Sequence, residues 1–195
     1  MSEILFIRHA ETDMSGTFCG HSDPELNDRG HVQISELIDR LRAEDIDAVY
    51  SSDLRRAVVT AEAIAKFFAV SCHVRPALRE INFGEWDGHS WAEIEQQDKE
   101  YARRWVAEYP NLPARGGEGF LEFELRALNE VRFLSAQAGR CNIAVVTHAG
   151  VLRTVSCNLN GYSAEQAWEQ TKSYCSIVRH TVPALSSPQF TEVGP

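Results

Sequence analysis

Apolar residues recur along this chain in two rhythms. "ILFI" at positions 4–7 is an unbroken run that stops at Arg8 and His9, which predicts a short buried strand opening into a loop at its C-terminal end. "NDRGHVQISELIDRLRAE" then places Val32, Ile34, Leu37, Ile38 and Leu41 on one helical face, with Asn27 or Asp28 as the cap. "DAVYSS" predicts a second strand, feeding "DLRRAVVTAEAIAKFFA", where Ala57, Ala61, Ile64 and Phe68 return at helical intervals. "VSCHVRP" predicts a third strand and "NIAVVTH" a fourth, again stopping at a histidine, His148, before the helical "AGVLRTVSCNLNG". The interrupted apolar pattern of "SYCSIVRHTV" predicts an edge strand closed by Pro183. Strand followed by helix, repeated, predicts an α/β fold with a largely parallel sheet. Residues 80–117 break the rhythm: Gly, Pro and Trp cluster in "FGEWDGHSW", "YPNLP" and "RGGEG". They are expected to form a lid or pocket wall inserted in a single domain covering 1–195.

Open parallel sheets place ligands at the C-terminal ends of their strands. Two strands ending at His9 and His148 therefore bring two imidazoles to one edge, with Arg8 beside the first and Arg56 opening the helix after another strand. One histidine at such a place is ordinarily structural. Two of them with two arginines point to an anion, because the guanidinium fork fits phosphate oxygens and helix N-termini add N–H donors. Arg55 and Arg56 face different directions on their helix, so one is a solvated charge. Glu80 beside Arg79 reads, on its own, as a surface ion pair. Trp86, Trp91 and Trp105 read as wall or core packing before ligand stacking. His31, His73, His89 and His180 lack metal-ligand spacing, as does His21, and no metal is expected.

Composition narrows the possibilities. With 195 residues, 44% of them hydrophobic, the chain is long enough for one buried core. A net charge of -9 excludes a basic nucleic-acid scaffold, so an anionic partner must be held by a local arginine cluster. Acidic Glu3 before a short apolar run is unlike a signal peptide, and no stretch approaches a membrane span; a cytoplasmic protein without membrane contact is expected. The five cysteines are odd in number, widely spaced and expected to be reduced.

"RHAET" resembles the R-H-G-E-T signature of the histidine phosphatase, or phosphoglycerate mutase-like, superfamily. "GHSDPELNDRG", "SSDLRRAVVTA", "LREINFGEWDG" and "VVTHAG" follow in the family's order and carry the resemblance across residues 4–150. The resemblance implies a three-layer α/β/α sandwich and metal-independent hydrolysis of a small-molecule phosphate ester, with no cofactor, by a monomer or homodimer. It implies His9 as nucleophile and Glu80 as general acid and base. Arg8, Arg56, His148, Ser15 and Ala149 would bind the phosphoryl group, and His21, Trp86 and Phe120 would lie against the substrate. Arg8 and Arg56 are expected to depress the pKa of His9, and a bound dianion to drive His148 toward its cation. Ala10 and Ser15 depart from the family's usual glycine and asparagine.

"YARRWVAEYPNLPARGGEGFLEFELR" is similar to the corresponding region of the α-ribazole phosphatases of cobalamin biosynthesis, which implies α-ribazole 5′-phosphate as substrate. A fructose-bisphosphatase-type or broad-specificity phosphatase, a phosphoglycerate mutase and a phosphate-binding pseudoenzyme are the alternatives.

Overall fold

The computed structural model describes residues 2–139 and 141–182; Pro183 lies outside them. Strands β1 (Ser2–Arg8), β2 (Ala48–Ser51), β3 (Cys72–Val74), β4 (Ile143–Thr147) and β5 (Ile177–Val182) form one sheet in the order β3-β2-β4-β1-β5. The first four pair in parallel, and β5 runs antiparallel to β1 at the edge. The fold is α/β with a mostly parallel sheet, as the alternation of strand and helix requires.

Side chains alternate across β1, and the alternation builds two cores. Leu5 and Ile7 meet α1 (Asp28–Leu41) and α2 (Arg55–Phe68) through Ile34, Leu37, Ala57, Ala61 and Ile64. Ile4 and Phe6 meet α5 (Phe120–Ala138) and α6 (Ala149–Asn158) through Phe123, Val131, Val151 and Leu152. Helices thus cover both faces, and β4 is buried along its whole length, which is why "IAVVT" has no polar alternation. Asn27 caps α1 by accepting from Gly30 N at 2.8 Å.

Residues 80–117 hold two helices where Gly and Pro punctuation had pointed to irregular chain. Ser90 and Glu93 form a capping box that starts α3 (Trp91–Gln97), and Asp98 caps α4 (Lys99–Glu108) by accepting from Tyr101 N at 3.1 Å. Both helices exist to turn Trp91, Ile94, Ala102 and Trp105 onto a third apolar cluster around Trp86, Phe18 and Phe83. A further capping box, Ser163 with Gln166, starts α7 (Ala164–Thr171), which packs between α6 and β5. The five cysteines are free, and Cys175 is buried.

Candidate active site

The parallel register of β1 and β4 places Arg8 opposite Thr147, so the next residue of each strand, His9 and His148, leaves the sheet side by side. Their rings lie 5.0 Å apart, centroid to centroid, and both are buried. His9 Nδ1 donates to the Ala10 carbonyl at 2.7 Å, and its Nε2 faces Arg56 Nε at 3.2 Å. Arginine only donates, so Nε2 is the acceptor and the neutral tautomer carries its proton on Nδ1. His148 caps α6 with its backbone, pairs Nε2 with Ser52 Oγ at 2.9 Å, and leaves a buried Nδ1 with no partner among the described residues.

Arg56 is fully buried. Its Nη1 donates to Ser22 O at 2.6 Å, and its Nη2 to Gly20 O at 2.8 Å and Cys19 O at 3.3 Å. Those carbonyls turn inward because the amides beside them turn outward: Gly20 N (3.1 Å), His21 N (2.8 Å) and Ser22 N (3.1 Å) all donate to the Asp87 carboxylate. Asp87 therefore sets the loop, the loop sets Arg56, and Arg56 sets His9. Gly20 is required there, since a Cβ would overlap the Ile81 carbonyl. Asp87→Ala is expected to weaken vanadate inhibition and lower kcat/KM by about 10- to 100-fold through misplacement of Arg56. Steady-state kinetics with vanadate titration checks this, and unchanged inhibition would detach Asp87 from the anion site.

Arg8 is held from the other side. Its Nη1 donates to Thr171 O (3.1 Å) and Lys172 O (2.5 Å), the carbonyls ending α7, and its guanidinium lies 4.1 Å above the Tyr174 ring. Arg8 Nε is buried without a partner among the described residues. Arg29, Arg55, Arg75, Arg79, Arg115 and Arg126 all pair with carboxylates. Arg8 and Arg56 form no ion pair among the described residues, nor does Arg153 on α6. An acidic chain thus keeps unpaired guanidinium groups at its strand ends, with donors left over, which is the electrostatics of an anion site.

Glu80 is buried beside this cluster, its Oε2 accepting from Gly150 N and its Oε1 from Ile81 N, both at 3.0 Å. A Cβ on Gly150 would overlap Glu80 Oε1, so only glycine admits the carboxylate to the first turn of α6. Glu80 and Gly150 also border a cavity of about 670 Å³ whose other walls include Trp105, Tyr109, Phe120, Phe123 and Trp168. Arg8, His9, Arg56 and His148 do not line it. The carboxylate stands at the seam between a polar cluster and an apolar cavity.

Of the remaining expected residues, Ala149 opens α6 beside His148, and His21 pairs its Nε2 with the Glu80 carbonyl at 3.1 Å. Phe120 lines the cavity. Trp86 does not: it is 5% exposed, at the centre of the third cluster. Ser15 is exposed in the turn after Thr12, and its hydroxyl makes no hydrogen bond to the cluster. The Ala10 methyl packs in the core with Ala57 and Ala61, and the Ala10 amide donates to Thr60 Oγ1 at 3.1 Å. Asp87, Arg153, Thr171 and Tyr174 escaped sequence reasoning. Arg153 alone had a visible signal, since Gly150, Arg153, Thr154, Cys157 and Asn158 share one helical stripe. Among the described residues no His, Cys, Asp and Glu cluster is arranged to hold a metal, and no helix is long and apolar enough to cross a membrane.

Burial, then Arg56, hold the pKa of His9 well below 6.5, with Arg8 adding a smaller push; burial, Arg56 and His9 do the same to His148. The sequence expected the arginines to act on His9, but loss of water is the larger cause. Below pH 6.5 the unfolded chain protonates both rings while the folded chain keeps them neutral. The unfolded state then binds more protons, so stability is full above pH 6.5 and declines beneath it, by about 1.4 kcal/mol per pH unit for each ring. Denaturant titrations at pH 7.5 and 5.5 are expected to differ by about 2 to 3 kcal/mol, and His148→Gln to halve the difference. Equal midpoints would mean that the rings titrate alike in both states.

The family model of the histidine phosphatase superfamily, branch 1, matches residues 4–184. The chain is 32% identical over 167 residues to the adenosylcobalamin/alpha-ribazole phosphatase of Escherichia coli, covering 85% of this chain and 82% of that one. It is 29% identical over 170 residues to phosphoserine phosphatase 1 of Hydrogenobacter thermophilus, covering 86% and 81%. The crystal structure of the alpha-ribazole phosphatase from Shigella flexneri superimposes with a TM-score of 0.82 at 29% identity, over 95% of this chain and 96% of that one. With five motifs in order, histidines at adjacent strand ends and the matching family model, the chain belongs to the histidine phosphatase superfamily, branch 1, and is a phosphatase.

Proposed function

We propose that the chain hydrolyses the phosphate monoester of a bulky aromatic alcohol, α-ribazole 5′-phosphate of cobalamin biosynthesis, through a phosphohistidine on His9. The Nε2 lone pair attacks phosphorus as Arg56 Nε–H transfers its hydrogen bond from that nitrogen to a phosphoryl oxygen. Arg8 Nε and His148 Nδ1, buried and without partners among the described residues, serve the other oxygens, where charge gathers during transfer. As the P–O bond breaks, Glu80 gives its proton to the departing alkoxide. It then takes a proton from the water that attacks the phosphohistidine, returning neutral His9 and inorganic phosphate.

The observation that carries the substrate is the cavity of about 670 Å³ beginning at Glu80, where the leaving alcohol must sit. A dimethylbenzimidazole gains aromatic contact from Trp105, Tyr109 and Phe120, worth about 1 to 3 kcal/mol for a stacked base. Phosphoserine, the substrate named by other relatives, would meet Arg153 and Glu124 in the same cavity but gain nothing from its apolar walls. Phosphoglycerate would find Arg153 as the one cation lining the cavity, among the described residues, for its carboxylate. In a substrate panel, kcat/KM for α-ribazole 5′-phosphate is expected to exceed that for phosphoserine, fructose bisphosphate, phosphoglycerate and p-nitrophenyl phosphate by about 10- to 100-fold. A higher value for phosphoserine would replace the substrate and leave the phosphohistidine chemistry in place.

A further inference from the structure

Arg153 projects from α6 one turn beyond Gly150 and is, among the described residues, the one cation lining the apolar cavity. Its Nε donates to Thr171 Oγ1 at 3.2 Å, and its guanidinium lies 4.1 Å above the Trp168 ring. Its Nη1 and Nη2 groups form no hydrogen bond, and the side chain no ion pair, among the described residues. Burial lowers its pKa, while Glu80 opposes that shift. A planar fork has been stacked and fixed at one nitrogen, leaving its other donors for something in the cavity.

Resting on the hydrolytic reading above, we propose that Arg153 is a specificity-determining residue that binds a vicinal pair of neutral hydroxyls on the sugar ring of the leaving alcohol. Charge decides between hydroxyls and a carboxylate. Arg8, Arg56 and Arg153 bring three positive charges to a site that holds the Glu124 carboxylate and a doubly charged phosphoryl group, while Glu80 enters the reaction protonated. A carboxylate on the alcohol would add a further negative charge with no further cation among the described residues of the cavity wall to meet it. Neutral oxygens accept from the fork without that cost, and the sugar diol of α-ribazole supplies them.

The test crosses two changes, the diol and the arginine. For wild type, kcat/KM for α-ribazole 5′-phosphate is expected to exceed that for its 2′,3′-dideoxy analogue by about 10- to 100-fold, the range of hydrogen bonds to a charged donor. In Arg153→Met the preference should collapse to within about twofold, and Arg153→Lys, which keeps the charge and loses the fork, should fall between. Equal slowing of both esters by Arg153→Met would overturn the proposal and make Arg153 a support for Arg8 through Thr171. So would a preference for phosphoserine over phosphoethanolamine that Arg153→Met abolishes, since the fork would then read a carboxylate. Calorimetric titration of free α-ribazole and its dideoxy analogue separates this proposal from the reading it rests on. A diol preference in binding that needs Arg153, without turnover of the phosphate, rejects the hydrolytic reading alone; turnover without the preference rejects the role of Arg153 alone.

Discussion

His9→Ala is expected to abolish turnover of every phosphomonoester, a loss on the order of 100,000-fold, the scale seen when a nucleophile that works as one unit with its neighbours is removed. No second acceptor stands ready. The other imidazole of the cluster, His148, has its Nε2 committed to Ser52, and Arg8 and Arg56 cannot give up a proton to become nucleophiles. Rapid quench with labelled substrate should trap an acid-labile phosphoenzyme in the wild type and none in the variant. Removing the ring strands Arg56 Nε in a buried place, at about 1 to 3 kcal/mol, so thermal unfolding must accompany the assay to show that the variant is folded. Label on a serine or cysteine, or appreciable activity in folded His9→Ala, would move the nucleophile elsewhere.

Glu80→Gln should produce the second largest loss, about 100- to 10,000-fold in kcat for an alkyl phosphate. The carboxamide keeps the shape that fits against Gly150, but it offers one acceptor oxygen where the Gly150 and Ile81 amides each have one. More important is what it cannot do, which is carry a proton to an alkoxide. The loss should therefore depend on the leaving group: large for a sugar alcohol of high pKa, and much smaller for p-nitrophenolate, which departs without help. Measuring kcat for both esters in both proteins decides the role. An equal loss for the two would leave Glu80 as a residue that only holds the first turn of α6.

Sequence and structure agree most closely where a single residue pattern carries its own explanation. β1 and β4 were legible because central parallel strands are apolar without alternation, and both runs stop at a histidine. α1 and α2 were legible from their periodic faces. The pairing of Arg8, His9, Arg56 and His148 followed from where strands end, and the structure brings these four together. Asp87 was invisible for the opposite reason. Its effect passes through three backbone amides to carbonyls and only then to a side chain, and no spacing records such a relay. The aromatic wall was foreseen as a composition and misallocated in detail, because whether Trp86 or Trp168 reaches the cavity depends on how α3, α4 and α7 pack. α7 is eight residues long, too short to establish a period, yet its final carbonyl holds Arg8 and its final side chain holds Arg153.

Between the strand-end cluster and the apolar cavity the shared border is narrow, formed by Glu80 and Gly150. In the proposed mechanism the groups that make and break the phosphorus bond gather where β1 and β4 end, while the cavity proposed to hold the alcohol is walled from α4, α5, α6 and α7, whose side chains can drift without disturbing His9. Such an architecture lets a lineage trade one phosphate ester for another through ordinary surface change at Trp105, Tyr109, Phe120 or Trp168, so that relatives about equally distant in sequence bear the names of different substrates while keeping one chemistry.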